Sequence, residues 1–256
     1  MNLWRFFSSS LTVAEMEARR VRHDPSELFT RAVQPALWLL IFGEVFTSVR
    51  AINTGVYSYI QYITPGVLAQ SVLFIAIFYG ITVVWERDVG LLTKLLSTPS
   101  PGSSIVLGKS LAAGVRGAFQ ALMIFILAVV IGVNLQLGPL NVLGVFVVVV
   151  LDAMCFSGLS MLLAAFLKTR DRMMGIGQAI TMPLFFASNA IYPIVLMPTW
   201  LQGIARWNPL TYVVDALRTL LLPGYQGQLP VDLLATAVYT IVFLAAASVM
   251  IRRLLE

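Results

Sequence analysis

Gly108, Lys109 and Ser110 close the stretch SSIVLGKS, and this triplet also closes the phosphate-cradling loop G-x-x-x-x-G-K-[ST]. Further on, Asp152 ends the apolar run VFVVVVL, as a magnesium-holding aspartate ends its strand in such sites. FSGLS, from Phe156 to Ser160, matches loosely the Ser-Gly-rich signature of transport ATPases. Together these residues would hydrolyse ATP. Their setting denies it. The loop's first glycine belongs at Ser103, and Gly102 is out of register. A phosphate loop also follows a buried strand and opens a helix. Here it follows STPSPGSS, and its flexible part would be Ile105, Val106 and Leu107. Asp152 and FSGLS lie inside one long apolar run, where small residues serve close helix packing.

The remaining candidates for chemistry are three charges inside apolar runs: Glu44, Arg116 and Asp152. Each isolated charge at mid-bilayer costs at least about 2.5–3.5 kcal/mol, so such residues pair or line a pathway. The expected depths of Arg116 and Asp152 are similar, which favours their pairing or a water-filled cavity; direct contact with a substrate is the competing role. The single histidine, His23, lies apart from the single cysteine, Cys155, and from any carboxylate cluster, so no metal site or catalytic residue is predicted. An intramembrane Ser–His enzyme would need a histidine inside a span.

The composition explains why these charges stand out. The chain has 256 residues, 59% hydrophobic and 11% charged, with mean hydropathy +0.87. Soluble domains are roughly 45–50% apolar and about 25% charged. This excess of apolar surface calls for lipid as solvent. The net charge of +5 would suggest nucleic acid in a soluble protein, but here the cations flank apolar runs, and no nucleic-acid partner is predicted. The N-terminus turns charged by Glu15, too early for a cleavable secretory signal.

A crossing helix needs about 20 mostly apolar residues. The expectation is an all-α polytopic membrane protein with six transmembrane helices: Ala32–Val49, Tyr62–Val84, Ile105–Val133, Leu140–Leu167, Gly175–Val195 and Asp232–Ile251. The chain reads as one domain, 1–256, with a cytoplasmic or interfacial helix over 1–31 and a six-span bundle over 32–256. With both termini in the cytoplasm, thirteen Lys and Arg fall inside and three outside (Arg50, Arg206, Arg218), the arrangement the positive-inside rule favours.

Thr12 with Glu15 makes a capping box, with Leu11 and Met16 as its staple. Leu11, Ala14, Ala18 and Val21 then recur at helical spacing opposite Arg19, Arg20 and Arg22, which predicts an amphipathic helix on lipid headgroups. Asp24 with Glu27, and Pro25 at the first helical position, launches the first span. After the second span, WERDVGLLTKLLSTPSP puts Val89, Leu92 and Leu96 on one face of a short helix, widened by Leu91 and Leu95. Such a face wants a partner or the headgroup layer. Between spans five and six, a long loop with Pro198, Trp200, Trp207, Pro209, Pro223 and Pro230 predicts short helices at or dipping into the outer surface. At the start of the third span, Ser103 or Ser104 is the expected cap and Lys109 the expected headgroup anchor.

These residues resemble the membrane subunits of ABC-2-type exporters, which move drugs, lipids or glycoconjugates. The resemblance covers nearly the whole chain: basic N-terminal helix, six spans and the charged turn WERDVGLLTKLLSTPSP. It is strongest over TMPLFFASNA, Met197-Pro198 and NPLTYVVDALR, where Pro209, Leu210, Tyr212 and Arg218 keep the family's spacing. VQPALWLLIFGEVF and YITPGVLAQSVLF are similar to drug-exporter and nodulation-factor-exporter permeases. The resemblance implies a half-transporter in the plasma (inner) membrane. Two membrane subunits, identical or closely related, would pair, each docking a cytoplasmic ATPase that binds the ATP and magnesium; no cofactor is expected in this chain. It also implies that Glu86, Arg87, Asp88, Leu92, Lys94, Leu95 and Leu96 form the ATPase-coupling helix, with the N-terminal helix as a second contact. Pro198, Trp200, Asn208, Pro209, Tyr212 and Arg218 would belong to outer gate helices, and substrate would leave by alternating access. The alternative reading is an ion-coupled secondary carrier using Glu44, Arg116 and Asp152 as its relay. Its inverted repeat is not evident in the sequence.

Overall fold

The structure, a computed structural model, describes residues 7–16, 26–49, 52, 54–97, 101–167 and 169–251. Arg5, Arg19, Arg20, Arg22, Asp24, Pro25, Arg50, Thr98–Ser100, Lys168, Arg252 and Arg253 lie outside them, as do the side chains of Glu27, Arg31 and Leu96. Among the described residues every regular element is helical.

Helix α1 covers residues 7–16. Thr12 bonds back to the Ser8 carbonyl, so it lies within the helix and does not cap it, contrary to expectation. The helix packs through Ser10 and Val13, both at Gly108, where a Cβ would meet Ser10 O at 2.6 Å. Leu11 and Met16 stay exposed. The expected first span is present over Ala32–Val49 as a composite. Helix α2 (Ser26–Leu37) passes into a π-turn (Trp38–Phe42) and then α3 (Gly43–Val49). Pro35 sits inside α2, where it removes a ladder donor and crowds the preceding turn, and the π-turn follows directly.

Three long helices build the centre: α4 (Tyr59–Asp88), α6 (Gly102–Val130) and α7 (Pro139–Ala164). With Ala32–Val49 and α11 (Leu229–Met250), they are the five helices among the described residues long and apolar enough to cross a membrane. Helix α4 starts with a complete capping box between Ser58 and Gln61 and ends at Gly90, whose φ of 74° only glycine adopts easily. The short α5 (Leu91–Leu96) follows. Helices α4 and α7 cross closely where the Ser160 hydroxyl accepts from Gly80 N–H at 2.8 Å and donates to the Ile77 carbonyl. Ser160 of FSGLS therefore serves packing, as do the neighbouring Gly158 against α11 and Gly108 against α1.

The expected fifth span, Gly175–Val195, is displaced. Helix α8 (Arg170–Phe186) starts earlier and stops earlier, at 17 residues, or about 25 Å at 1.5 Å per residue against about 30 Å of hydrocarbon. It still runs from the α5 end of the bundle to the other end. There, Ala187–Pro193 forms a turn and a 3-10 turn (Ile194–Leu196). Helices α9 (Thr199–Trp207) and α10 (Pro209–Leu221) follow. Apolar character runs on past Phe186, which is why the sequence reads as a longer helix. The last carbonyls of α8 are taken by Asn208 at Leu184, Ser188 at Phe185 and Tyr192 at Phe186, and a buried group from a distant helix holds the turn that follows.

Candidate functional site

That group is Arg218. It is buried in α10 and donates from Nη2 to the carbonyls of Asn189, at 2.5 Å, and Ala190, at 3.4 Å. Its guanidinium lies 3.8 Å from the Tyr62 ring centroid, and Nη1 stands 3.6 Å from Asp215 one turn back. Asp215 also accepts from Asn189 Nδ2 at 2.6 Å and from the Tyr225 hydroxyl at 3.1 Å. Burial pushes the Asp215 carboxyl above its ordinary range, and Arg218 with the two hydrogen bonds pulls the other way. Burial and the Asp215 charge push the Tyr225 phenol up. The turn at 190 sits hard on α4, since a Cβ at Gly66 would meet Ala190 O at 2.4 Å.

The other expected gate residues divide by burial. Asn208 caps α10, accepting from Leu210 N–H at 3.0 Å, and its amide donates to the Leu184 carbonyl at 2.6 Å. Pro209 holds the first helical position, where its missing N–H costs nothing. Tyr212 donates to the Arg206 carbonyl at 2.7 Å. Pro198 and Trp200 are exposed, and Trp200, at 68%, lines with Trp207 and Ile204 one wall of an apolar cavity of about 1150 Å³. Ile180, Pro183 and Leu184 of α8 form the opposite wall.

At the far end, the expected coupling segment is arranged differently from its reading as a charged, apolar-ridged face. Glu86 is fully buried and takes a 2.5 Å ion pair from Lys109, also fully buried, so Lys109 is no headgroup anchor and Glu86 is no surface charge. Lys109 Nζ stands 5.9 Å from the Tyr79 ring centroid. Leu92 turns inward into the apolar cluster of Val83, Val84, Ile105 and Val106, and Leu95 packs against that cluster. Asp88 binds Arg87 at 3.0 Å and Arg170 at 3.4 Å, tying the end of α4 to the start of α8. The exposed side of the segment is Val89, Thr93 and Lys94. Neither Ser103 nor Ser104 caps α6; Pro101 occupies the cap position, and Ser104 donates to its carbonyl at 2.7 Å.

The pair expected between Arg116 and Asp152 is not formed. Both Asp152 oxygens are buried without a hydrogen-bond partner, and Arg116 lies over Tyr79 at 5.2 Å. Gly117 is the α6 residue that faces Ala153 and Val149 of α7. One residue is about 100° of helix rotation, which turns Arg116 toward α4 instead. Glu44 is exposed on α3. No ion pair among the described residues joins the three into a relay.

Sequence reasoning missed Asn189, Asp215, Tyr62 and Tyr225, and missed Lys109 as an ion partner. Asp215 three residues before Arg218 on one helix was a readable signal. The others are brought in by tertiary structure alone.

Apolar helices of crossing length, joined by short helices at both ends of the bundle, define a polytopic helical membrane protein. The chain belongs to the ABC-2 type transporter family, whose model matches residues 10–222. It is 30% identical to the putative transport permease ycf38 of Cyanophora paradoxa, over 78% of this chain and 70% of the relative. It is 28% identical to the inner membrane transport permease YadH of Escherichia coli K12, over 82% and 79%. It is 24% identical to the daunorubicin resistance ABC transporter permease protein DrrB1 of Streptomyces coeruleorubidus, over 84% and 75%. Membership makes the chain the membrane subunit of an ABC transporter, and these relatives are named as permeases, not enzymes.

Proposed function

We propose that the chain is the permease half of an ATP-driven exporter in the plasma (inner) membrane, moving an amphipathic or lipid-linked substrate outward by alternating access. Helix α8 is the fifth of six crossings, its short length met by local thinning of the bilayer, and both termini are cytoplasmic. The whole chain, 1–256, acts as one transmembrane domain. Two such subunits pair, and each docks one cytoplasmic ATPase that binds ATP and magnesium, so this chain carries no cofactor. Helices α9 and α10 close the outer end, and the apolar cavity between α8 and α9 is a place for an apolar substrate portion. A drug-resistance permease among the relatives supports this substrate class.

The observation that carries the reading is α5. It is pinned by Leu92 beneath the bundle and presents Val89, which is 53% exposed, with Thr93 and Lys94. That is a small, firmly held contact with one cation, suited to a pocket on a partner. Val89→Glu together with Lys94→Glu leaves the buried side untouched. The expected result is a folded permease that no longer co-purifies with its ATPase. Undiminished co-purification and ATP hydrolysis in the complex would overturn the docking role. The ion-carrier reading has no assembled relay to support it.

A further inference from the structure

We infer that Glu86 and Lys109 form a dry bracket that makes α5 and its two flanking helix ends a single lever, so that these two are positioning residues for coupling. The inference rests on the docking reading of α5. Glu86 stands two residues before the end of α4, and Lys109 two turns into α6, so their bond closes the chain around α5. Both side chains have no exposed surface, and the bond is 2.5 Å. Leu92 fills the apolar cluster that surrounds the same helix ends. Neither charge has exposed surface, so the two cannot separate into water, and pulling them apart costs more than moving the helix ends that carry them. A push on α5 therefore moves α4 and α6 together.

The consequence at the opposite end follows from geometry. Helix α4 carries Tyr62 and Gly66 against the Arg218 lock, so a displacement of α4 as a unit acts on the groups that hold the turn at 190. Apolar packing alone would let α4 and α6 slide past each other and dissipate the push. The bracket supplies direction; Leu92 supplies attachment.

The test uses the permease–ATPase complex in proteoliposomes with a cysteine introduced by Gln226→Cys, an exposed position beyond α10. The one native cysteine, Cys155, is buried. A membrane-impermeant maleimide reads the labelling rate with and without MgATP and vanadate. Three forms are compared: the parent, Glu86→Gln, and the paired Glu86→Met with Lys109→Met. The apolar pair keeps volume and removes both charges, so it folds even where the single variant does not. The parent is expected to change its labelling rate with nucleotide. Both variants are expected to lose that change while the complex still hydrolyses ATP. A merely structural role would lower the yield of complex but leave the nucleotide response per folded complex intact. That outcome, or a parent-like response in the apolar pair, overturns the bracket alone. A parent with no nucleotide response overturns the docking reading and the bracket with it.

Discussion

The two ends of the molecule bury cations in opposite ways. At the α5 end, Lys109 pairs with the Glu86 carboxylate at 2.5 Å, with the Tyr79 ring centroid 5.9 Å away. At the α10 end, Arg218 divides its charge among two backbone carbonyls, a ring face and Asp215, which is itself held by Asn189 and Tyr225. The chemistry of the cations permits this. An ammonium is a compact point charge, whereas a guanidinium is a planar fork that binds several acceptors and stacks. The Lys109–Glu86 bond joins two side chains that have no exposed surface. A distributed lock can lose one contact and hold.

The largest effect that distinguishes the two designs is at Lys109. Lys109→Met takes the 2.5 Å partner from the buried Glu86 carboxylate, and costs about 3–5 kcal/mol by the usual penalty for breaking a buried pair. Thermal unfolding in detergent measures it, and adding Glu86→Met should recover most of the loss. A loss below about 1 kcal/mol would mean that water reaches the pair, as for an exposed bridge. Arg218→Lys breaks the distributed lock less completely. The charge stays near Asp215, but the fork to Asn189 and Ala190 and the stack on Tyr62 go. The expected cost is about 1.5–3 kcal/mol, the range for hydrogen bonds to a charged group. The same unfolding measurement should also show faster proteolysis at the 187–193 turn. Equal costs at the two sites would erase the contrast between an ammonium paired to a carboxylate and a guanidinium spread over several acceptors.

Much of this fold was legible because lipid enforces a simple code: long apolar runs, helices, and cations at their flanks. The runs of α4, α6, α7 and α11 were placed within a few residues, and the short α5 was expected from the two prolines that follow it. What was not legible depends on partners distant in sequence. The turn that follows α8 is held by Arg218 acting on carbonyls 28 and 29 residues away. The role of Lys109 is set by Glu86, 23 residues before it. The depths of Arg116 and Asp152 were readable from helix rise, but their rotations were not, and a pair needs both. Leu92 looked like a ridge because periodicity reports which residues share a face, not which way that face turns.

Asp215 gives the smallest effect and tests whether the Arg218 lock is tuned or merely filled. Its carboxyl is raised by burial more than Arg218, Tyr225 and Asn189 lower it. The folded state therefore binds this proton more tightly than the unfolded chain, whose ordinary value is 3.8. Stability from this group is fully present below that value and is lost as pH rises through the folded pKa, because the unfolded state then gains more by ionising. Above the folded value the contribution is flat. Asp215→Asn keeps an oxygen for Asn189 and Tyr225 but cannot ionise, so it should remove this part of the pH dependence while leaving the lock closed. Unfolding measured across the acidic range up to neutral pH, for the parent and the variant, provides the check. The difference in stability should favour the variant more as pH rises. If it instead favours the parent more as pH rises, the ionised carboxylate is worth more to Arg218 than its burial costs, and the α10 end would then depend on a charge pair as the α5 end does.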